Sequence, residues 1–304
     1  MKGGLRSDLY DAFVVKEDRI ALEPVARPHA ERKDLMTGSA YERFRALHEG
    51  PRAFIMPNVW DGASALMMRD AGFAALGSSS FAYGATRGLP DVSSRLGRSE
   101  SVAHAAWLGE IANLPVNGDL ADGFGPAPDD CAATVEASVA AGLAGLGIED
   151  TTGNPAAPIH DFDAAVRRIE ASARAARGRI VLTGRTDNFL CGRPDLDDTL
   201  RRLTAFAEAG ADVLYAPGLP DMESIRRVVR AVAPKPVNVL IGPKVSLAEL
   251  EAAGVRRVSL GGALYRVAMG ALARSAAAMR AGDLPAAVAG AMPGKDLQRL
   301  VESA

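Results

Sequence analysis

The residues in this chain best placed to do chemistry are acids that follow short apolar segments. Asp119 and Asp122 lie in Pro115-Val-Asn-Gly-Asp119-Leu-Ala-Asp122-Gly-Phe-Gly125, directly after one such segment, and Glu149 and Asp150 close the next. If the two segments are adjacent parallel strands, their C-terminal ends bring these acids together despite the intervening sequence, at the end of an α/β barrel where active sites form. A hard ion such as Mg²⁺ prefers oxygen ligands and retains waters, so one direct carboxylate with others holding those waters suffices. Asp122 and Asp150 are equally well explained as helix caps.

The elements that must position these acids recur along the chain. Apolar segments at 53–56, 73–77, 114–118, 143–148, 179–184, 212–216, 236–241 and 257–260 alternate with helical stretches. Ala-Gly dipeptides at 71–72, 141–142, 209–210 and 253–254 introduce several of them. Glycine leaves a helix through a left-handed conformation and releases the chain into the next strand, which is the rhythm of βα units. The expected fold is an α/β (β/α)₈ TIM barrel, in preference to a doubly wound sheet. No Gly-rich dinucleotide fingerprint follows the first segment and no P-loop is present. Residues 1–36 are expected to form an N-terminal extension, and residues 37–304 a single barrel domain. Helices over 264–281 and 283–304 are expected to cap the barrel or pack on another subunit.

Composition excludes several classes of function. With 35 basic and 37 acidic residues in 304 and 5% aromatics, there is neither a long-range field for polyanions nor a set of stacking platforms, so no nucleic-acid partner is expected. The apolar runs stop short of membrane-spanning length and the opening Met-Lys-Gly-Gly-Leu-Arg-Ser-Asp lacks a continuous apolar signal segment. A cytoplasmic protein without membrane contact is expected. Cys131 and Cys191 form no close pair and are expected to be packing residues.

Several ordered motifs resemble the isocitrate lyase and phosphoenolpyruvate mutase superfamily, over about residues 37–270. They are Gly77-Ser78-Ser79-Ser80, Gly88-Leu-Pro-Asp91, Asn117-Gly-Asp119 with Gly123-Phe-Gly125, Gly147-Ile-Glu149-Asp150 and Gly184-Arg185-Thr-Asp187. The resemblance implies the TIM barrel of that superfamily, with Mg²⁺ as cofactor and Mn²⁺ as the alternative ion. It implies that Asp119 binds the metal directly, while Asp91 and Glu149 hold metal-bound water or orient the site. Asn117 matches a position where the family often has aspartate. Ser78 and the backbone amides around Ser79 and Ser80 are then expected to hold a substrate carboxylate, with Arg185 pairing to its oxyanionic part and Asn238 a further polar contact. The resemblance also implies a homo-oligomer that exchanges a helix between subunits, a tetramer in preference to a dimer.

This chain departs from the lyase pattern where the catalytic acid is expected. Members that cleave isocitrate or methylisocitrate carry Lys-Lys-Cys-Gly-His after the acidic motif, whereas Glu149-Asp150 leads here into Thr151-Thr152-Gly-Asn154-Pro155. The lysine and asparagine of the mutase are also not both present, although Asn154 stands there as part of a polar gate. Thr151, Thr152 and Tyr83 are pocket candidates. His160 is read as the entrance to a helix rather than as a proton donor, and His104 as a helix residue. The expected activity is Mg²⁺-dependent cleavage of a carbon–carbon bond in a small 2-oxo or 2-hydroxy carboxylate through an enolate, by a lyase or decarboxylase. Carbon–phosphorus chemistry on a phosphonate, as in a mutase or hydrolase, is one alternative; a noncatalytic carboxylate-binding protein is the other.

Overall fold

The computed structural model of the chain describes residues 38–90, 96–242 and 245–304. The expected extension over 1–36 and the expected site residue Asp91 lie outside them. Nine strand segments run parallel: β1 (Phe54–Met56), β2 (Asn58–Val59), β3 (Leu76–Ser78), β4 (Val116–Asp119), β5 (Gly145–Glu149), β6 (Val181–Arg185), β7 (Val213–Tyr215), β8 (Val237–Leu240) and β9 (Arg257–Ser259). Their order is β1-β9-β8-β7-β6-β5-β4-β3-β2. The two ends of that order, β1 and β2, are consecutive in the chain and separated only by Pro57, which has no N–H to give to a ladder. They are one strand of the barrel, pairing first with β9 and then with β3, so the parallel sheet closes through it. Asn58 holds the seam: its amide nitrogen donates to the Ser78 carbonyl at 2.7 Å, and its oxygen accepts from the backbone N–H groups of Leu260 and Gly261, both at 2.9 Å.

Helices surround the sheet. They are α1 (Ala40–Glu49), α2 (Gly62–Asp70), α3 (Ser80–Thr86), α4 (Arg98–Ala112), α5 (Pro128–Ala140), α6 (Phe162–Ala176), α7 (Leu196–Glu208), α8 (Met222–Val232), α9 (Leu247–Ala252), α10 (Ala263–Arg280), α11 (Leu284–Ala287) and α12 (Gly294–Glu302). None among the described residues is long and apolar enough to cross a membrane. Leu76, Val116, Leu146, Leu182, Leu214, Val237 and Val258 face outward from the strands into the layer beneath these helices. The helix expected over 283–304 is split, because Gly290 takes a φ of 77° and Pro293 starts a new helix at α12. Helix α10 buries none of its residues within this chain, and Val267 and Leu272 stand exposed along it.

Several strands start later than their apolar segments. At Gly142 (φ 78°) and Gly210 (φ 107°) the helix ends left-handed, and the next residue's N–H turns back into it: Leu143 donates to Ser138 at 3.0 Å and Ala211 to Phe206 at 3.0 Å. That cap consumes the residues after the glycine. Asp119, Glu149 and Arg185 are the last residues of β4, β5 and β6, one residue beyond the ends expected from their apolar segments.

The N-terminal end of the barrel is plugged by α1. Phe44 packs with Phe54, Ala144, Val181 and Val213, at or just before the strand starts. Beside this plug lies Arg257, 1% exposed, with no carboxylate partner among the described residues. It donates to Thr183 Oγ1 at 2.9 Å and Asn117 Oδ1 at 3.4 Å, and lies 3.4 Å from His48 Nε2. Burial pushes its guanidinium down to about 9, still charged at neutral pH. His48 Nδ1 lies 2.9 Å from the Phe44 carbonyl, an acceptor, so Nδ1 carries the proton and Nε2 accepts from Arg257.

Burial, with the Arg257 charge beside it, depresses His48 from 6.5 to about 3. The ring stays neutral in the folded protein where the unfolded chain would take up a proton. Its contribution to stability is therefore complete above the unfolded pKa and is lost as pH falls toward the folded one. Between pH 7 and pH 5 the protein should lose about 2 kcal/mol through this group. Urea midpoints measured across that range should fall in the wild type and flatten in His48→Gln, which keeps an acceptor for Arg257. Parallel pH profiles would remove the assignment.

Candidate active site

The C-terminal ends of β4, β5 and β6 bring three acids onto one arginine. Arg185 Nε and Nη2 form a bidentate pair with Asp187 at 2.6 and 2.7 Å. Its Nη1 lies 2.8 Å from Glu149 Oε1 and 3.6 Å from Asp119 Oδ1. Register explains the convergence: Glu149 is the Cα partner of Arg185, and Asp119 that of Gly147 on the same inward face of β5 as Glu149. The Arg185–Asp187 bridge thus exists, as part of a cluster with the two other predicted site residues.

Among the described residues, three carboxylates face one guanidinium, a formal excess of two negative charges. Burial pushes the Glu149 carboxyl well above its ordinary range; Arg185 pulls it down, and Asp187 and Asp119 push it up again. For Arg185 burial opposes the charge, but Glu149 and Asp187 outweigh it and hold the guanidinium above its usual value. The cluster is short of positive charge. Among the described residues no group of three or more His, Cys, Asp or Glu side chains is arranged as a metal cage. A divalent ion with one direct carboxylate still fits, because Asp119 is a hard oxygen donor with a quarter of its side chain exposed.

Ser78 and Ser80 are turned onto Asp119. Ser80 donates to Asp119 Oδ2 from its N–H and its hydroxyl, both at 2.8 Å, and the Asp119 N–H donates to Ser78 Oγ at 2.8 Å. The Ser79 hydroxyl caps α3 through the Ala82 N–H. Asn117 is not among these groups: its side chain reaches the barrel floor and Arg257. Asn238 donates to Ser259 Oγ at 2.9 Å, and its buried amide oxygen has no hydrogen-bond partner among the described residues.

A second layer fixes this cluster. Asp150 accepts from the Asp187 N–H at 2.9 Å and pairs with Arg202 Nη1 at 3.2 Å. Arg202, also buried, pairs with Asp198 at 2.7 Å and donates to the His160 carbonyl at 3.0 Å. Asp150 thus ties the loops after β5 and β6 to α7. Asp122 accepts from the Phe124 N–H at 2.9 Å in a tight local turn. Arg168 holds that turn from beneath through the carbonyls of Gly125 and Asp122.

The remaining candidates stand apart from the arginine. The His160 backbone is pinned while its buried Nε2 has no partner among the described residues. His104 stacks on Tyr83 at 3.6 Å and bonds the Trp60 carbonyl. Thr151 donates to Glu149 Oε2 at 3.3 Å; Thr152 and Asn154 bond within their own loop. Burial pushes the Cys131 thiol up to about 11, the state of an inert packing residue. One residue not singled out from the sequence, Tyr215, ends β7 with its ring 5.4 Å from the Arg185 guanidinium. Its only sequence signal is its place near the end of the apolar segment after Arg185.

The family model described as phosphoenolpyruvate phosphomutase matches residues 44–280. A crystal structure from Burkholderia cenocepacia J2315, assigned only to the lyase/mutase class, is 46% identical, covers 88% of this chain and 96% of its own, and superposes with a TM-score of 0.82. The oxaloacetate decarboxylase of Paraburkholderia xenovorans is 29% identical, over 91% of this chain and 93% of its own. The crystal structure of 2,3-dimethylmalate lyase is 27% identical, over 87% of this chain and 95% of its own, with a TM-score of 0.77.

Proposed function

The chain belongs to the phosphoenolpyruvate phosphomutase family, within the superfamily that also holds isocitrate lyase, and from that membership and the site geometry we propose that it cleaves a carbon–carbon bond in a small 2-oxo or 2-hydroxy carboxylate. The observation that carries this reading is the convergence of Asp119, Glu149 and Asp187 on Arg185 at the strand ends. Such a site needs added positive charge, and it offers a directed cationic fork to an anion. Asp119 would hold Mg²⁺ or Mn²⁺ directly and Glu149 its waters, with Asp91 a further holder in the segment outside the described residues. When bound, the ion supplies a Lewis acid beside the substrate's 2-oxygen.

The protein's own groups do the rest. Three of the five Arg185 N–H donors are taken by Asp187 and Glu149, which leaves two for a substrate carboxylate. Asp187 and Asp150 hold that fork against rotation. Ser80 holds Asp119 in place, and Ser78 braces the same strand end from β3. As bond cleavage leaves an enolate, Arg185 stays positioned to stabilise the developing charge.

Similarity to an oxaloacetate decarboxylase and a dimethylmalate lyase favours carbon–carbon cleavage. The phosphomutase family model supports the second reading, carbon–phosphorus chemistry on a phosphonate. The exposed apolar residues of α10 support assembly into a homo-oligomer through that helix.

The deciding experiment compares oxaloacetate, substituted malates, methylisocitrate and phosphonopyruvate with and without Mg²⁺. We expect one of the first two classes to be cleaved at least about 100-fold faster than by Mg²⁺ alone, with loss of activity on chelation. Turnover of phosphonopyruvate alone would transfer the assignment to the second reading. Binding of the acids without cleavage would favour a noncatalytic protein, and efficient methylisocitrate cleavage would show that no thiol loop is needed.

A further inference from the structure

Cleavage next to a carbonyl leaves an enolate that must gain a proton, and the loop after β5 carries neither thiol nor lysine to give one. The structure offers a different donor. Tyr215 is the Cα partner of Arg185 across β6 and β7, and it shares the inward face of β7 with Val213 of the inner cluster. Its ring lies 5.4 Å from the Arg185 guanidinium. On the same inward face of β5 as Glu149, Gly147 leaves open space: a Cβ built there meets no atom within 4 Å. The phenol is deep in the barrel but not sealed from solvent. Burial raises its pKa, with Arg185 and Ser259 pulling the other way, so it is a phenol and not a phenolate at neutral pH.

We propose that Tyr215 is the catalytic proton donor that converts the enolate left by bond cleavage into the keto product. This rests on the carbon–carbon reading above. In the step, the Tyr215 O–H bond breaks and a C–H bond forms at the enolate carbon, whose electron pair takes the proton while the enolate oxygen returns to a carbonyl. The O–H pair stays on the phenolate, beside the neighbouring Arg185 charge, until water reprotonates it. No oxidant or second substrate is required.

The test uses oxaloacetate and its 3-methyl homologue in D₂O with Mg²⁺. Two quantities are read: CO₂ release, and the configuration of the deuterium at C3 of the 2-oxobutyrate formed from the homologue. The wild type should give a single enantiomer. Tyr215→Phe, which removes one oxygen atom, should fold with an unchanged melting temperature, release CO₂ within about tenfold of the wild-type rate, and give racemic label as the enol protonates in solvent. Ser259→Ala, which leaves the phenol, should keep the single enantiomer. Racemic label from the wild type overturns the proposal without need of any variant. A single enantiomer at the wild-type rate from Tyr215→Phe overturns it as well, and so does loss of CO₂ release in that folded variant, which would make Tyr215 a positioning residue for Arg185. Absence of CO₂ release from the wild type with both acids removes the parent reading for this class, and Tyr215 as donor with it.

Discussion

Asp119→Ala should lower turnover by about three orders of magnitude while the protein still folds, because among the described residues this carboxylate is the acid of the site most open to an ion. The loss should appear first as weaker Mg²⁺ binding. The alanine also strips the Ser80 N–H and hydroxyl of their acceptor, so part of the effect could come from a loosened loop after β3. Asp119→Asn separates the two causes: its amide oxygen can accept from Ser80, but the charge is gone. We expect Asp119→Asn to melt close to the wild type and to lose nearly as much activity as the alanine. Calorimetric Mg²⁺ titrations of both folded variants, beside turnover at saturating metal, make the check. Wild-type turnover in Asp119→Ala without extra metal would end the central role given to this residue.

The parts of this site that were legible in the sequence are those fixed by strand ends. An apolar segment followed by an acid, repeated in neighbouring βα units, places Asp119, Glu149 and Arg185 at one mouth, because parallel strands all end on the same side. Depth inside the barrel was not legible. Asn117 shares the inward face of Asp119, two residues earlier on the same strand, and that single pleat puts it within reach of Arg257 on the floor instead of Arg185 at the mouth. Partner choice was equally hidden. Arg202 reads as an ordinary charge on an amphipathic helix, yet it is 4% exposed and bridges Asp198 of its own helix to Asp150 in the loop after β5. Ser80, expected beside a substrate carboxylate, also bonds Asp119 through its N–H and hydroxyl, since a hydroxyl at a helix start finds a nearby acceptor. Tyr215 was missed because its position matters only through register with Arg185, which no local pattern reveals.

Arg185→Ala should act in the opposite order to Asp119→Ala. Removing Arg185 leaves Glu149 and Asp187, 12% and 6% exposed, without the partner they share. Stranding such buried charges costs about 3–5 kcal/mol, so a drop in melting temperature is expected, moderated as Glu149 takes up a proton. Mg²⁺ restores positive charge to the same place, and the variant should therefore be stabilised by the ion more than the wild type is. Mg²⁺ affinity should be retained or increased. Affinity for the anionic substrate and turnover should both fall, turnover by about three orders of magnitude, because the donors aimed at the substrate carboxylate are gone. Arg185→Lys keeps the charge but not the planar fork, and should recover stability ahead of activity. Melting curves with and without Mg²⁺, substrate binding and turnover on the two variants distinguish this from a purely structural arginine. Unchanged substrate binding and turnover in Arg185→Ala would place the residue in the barrel's ion-pair network alone.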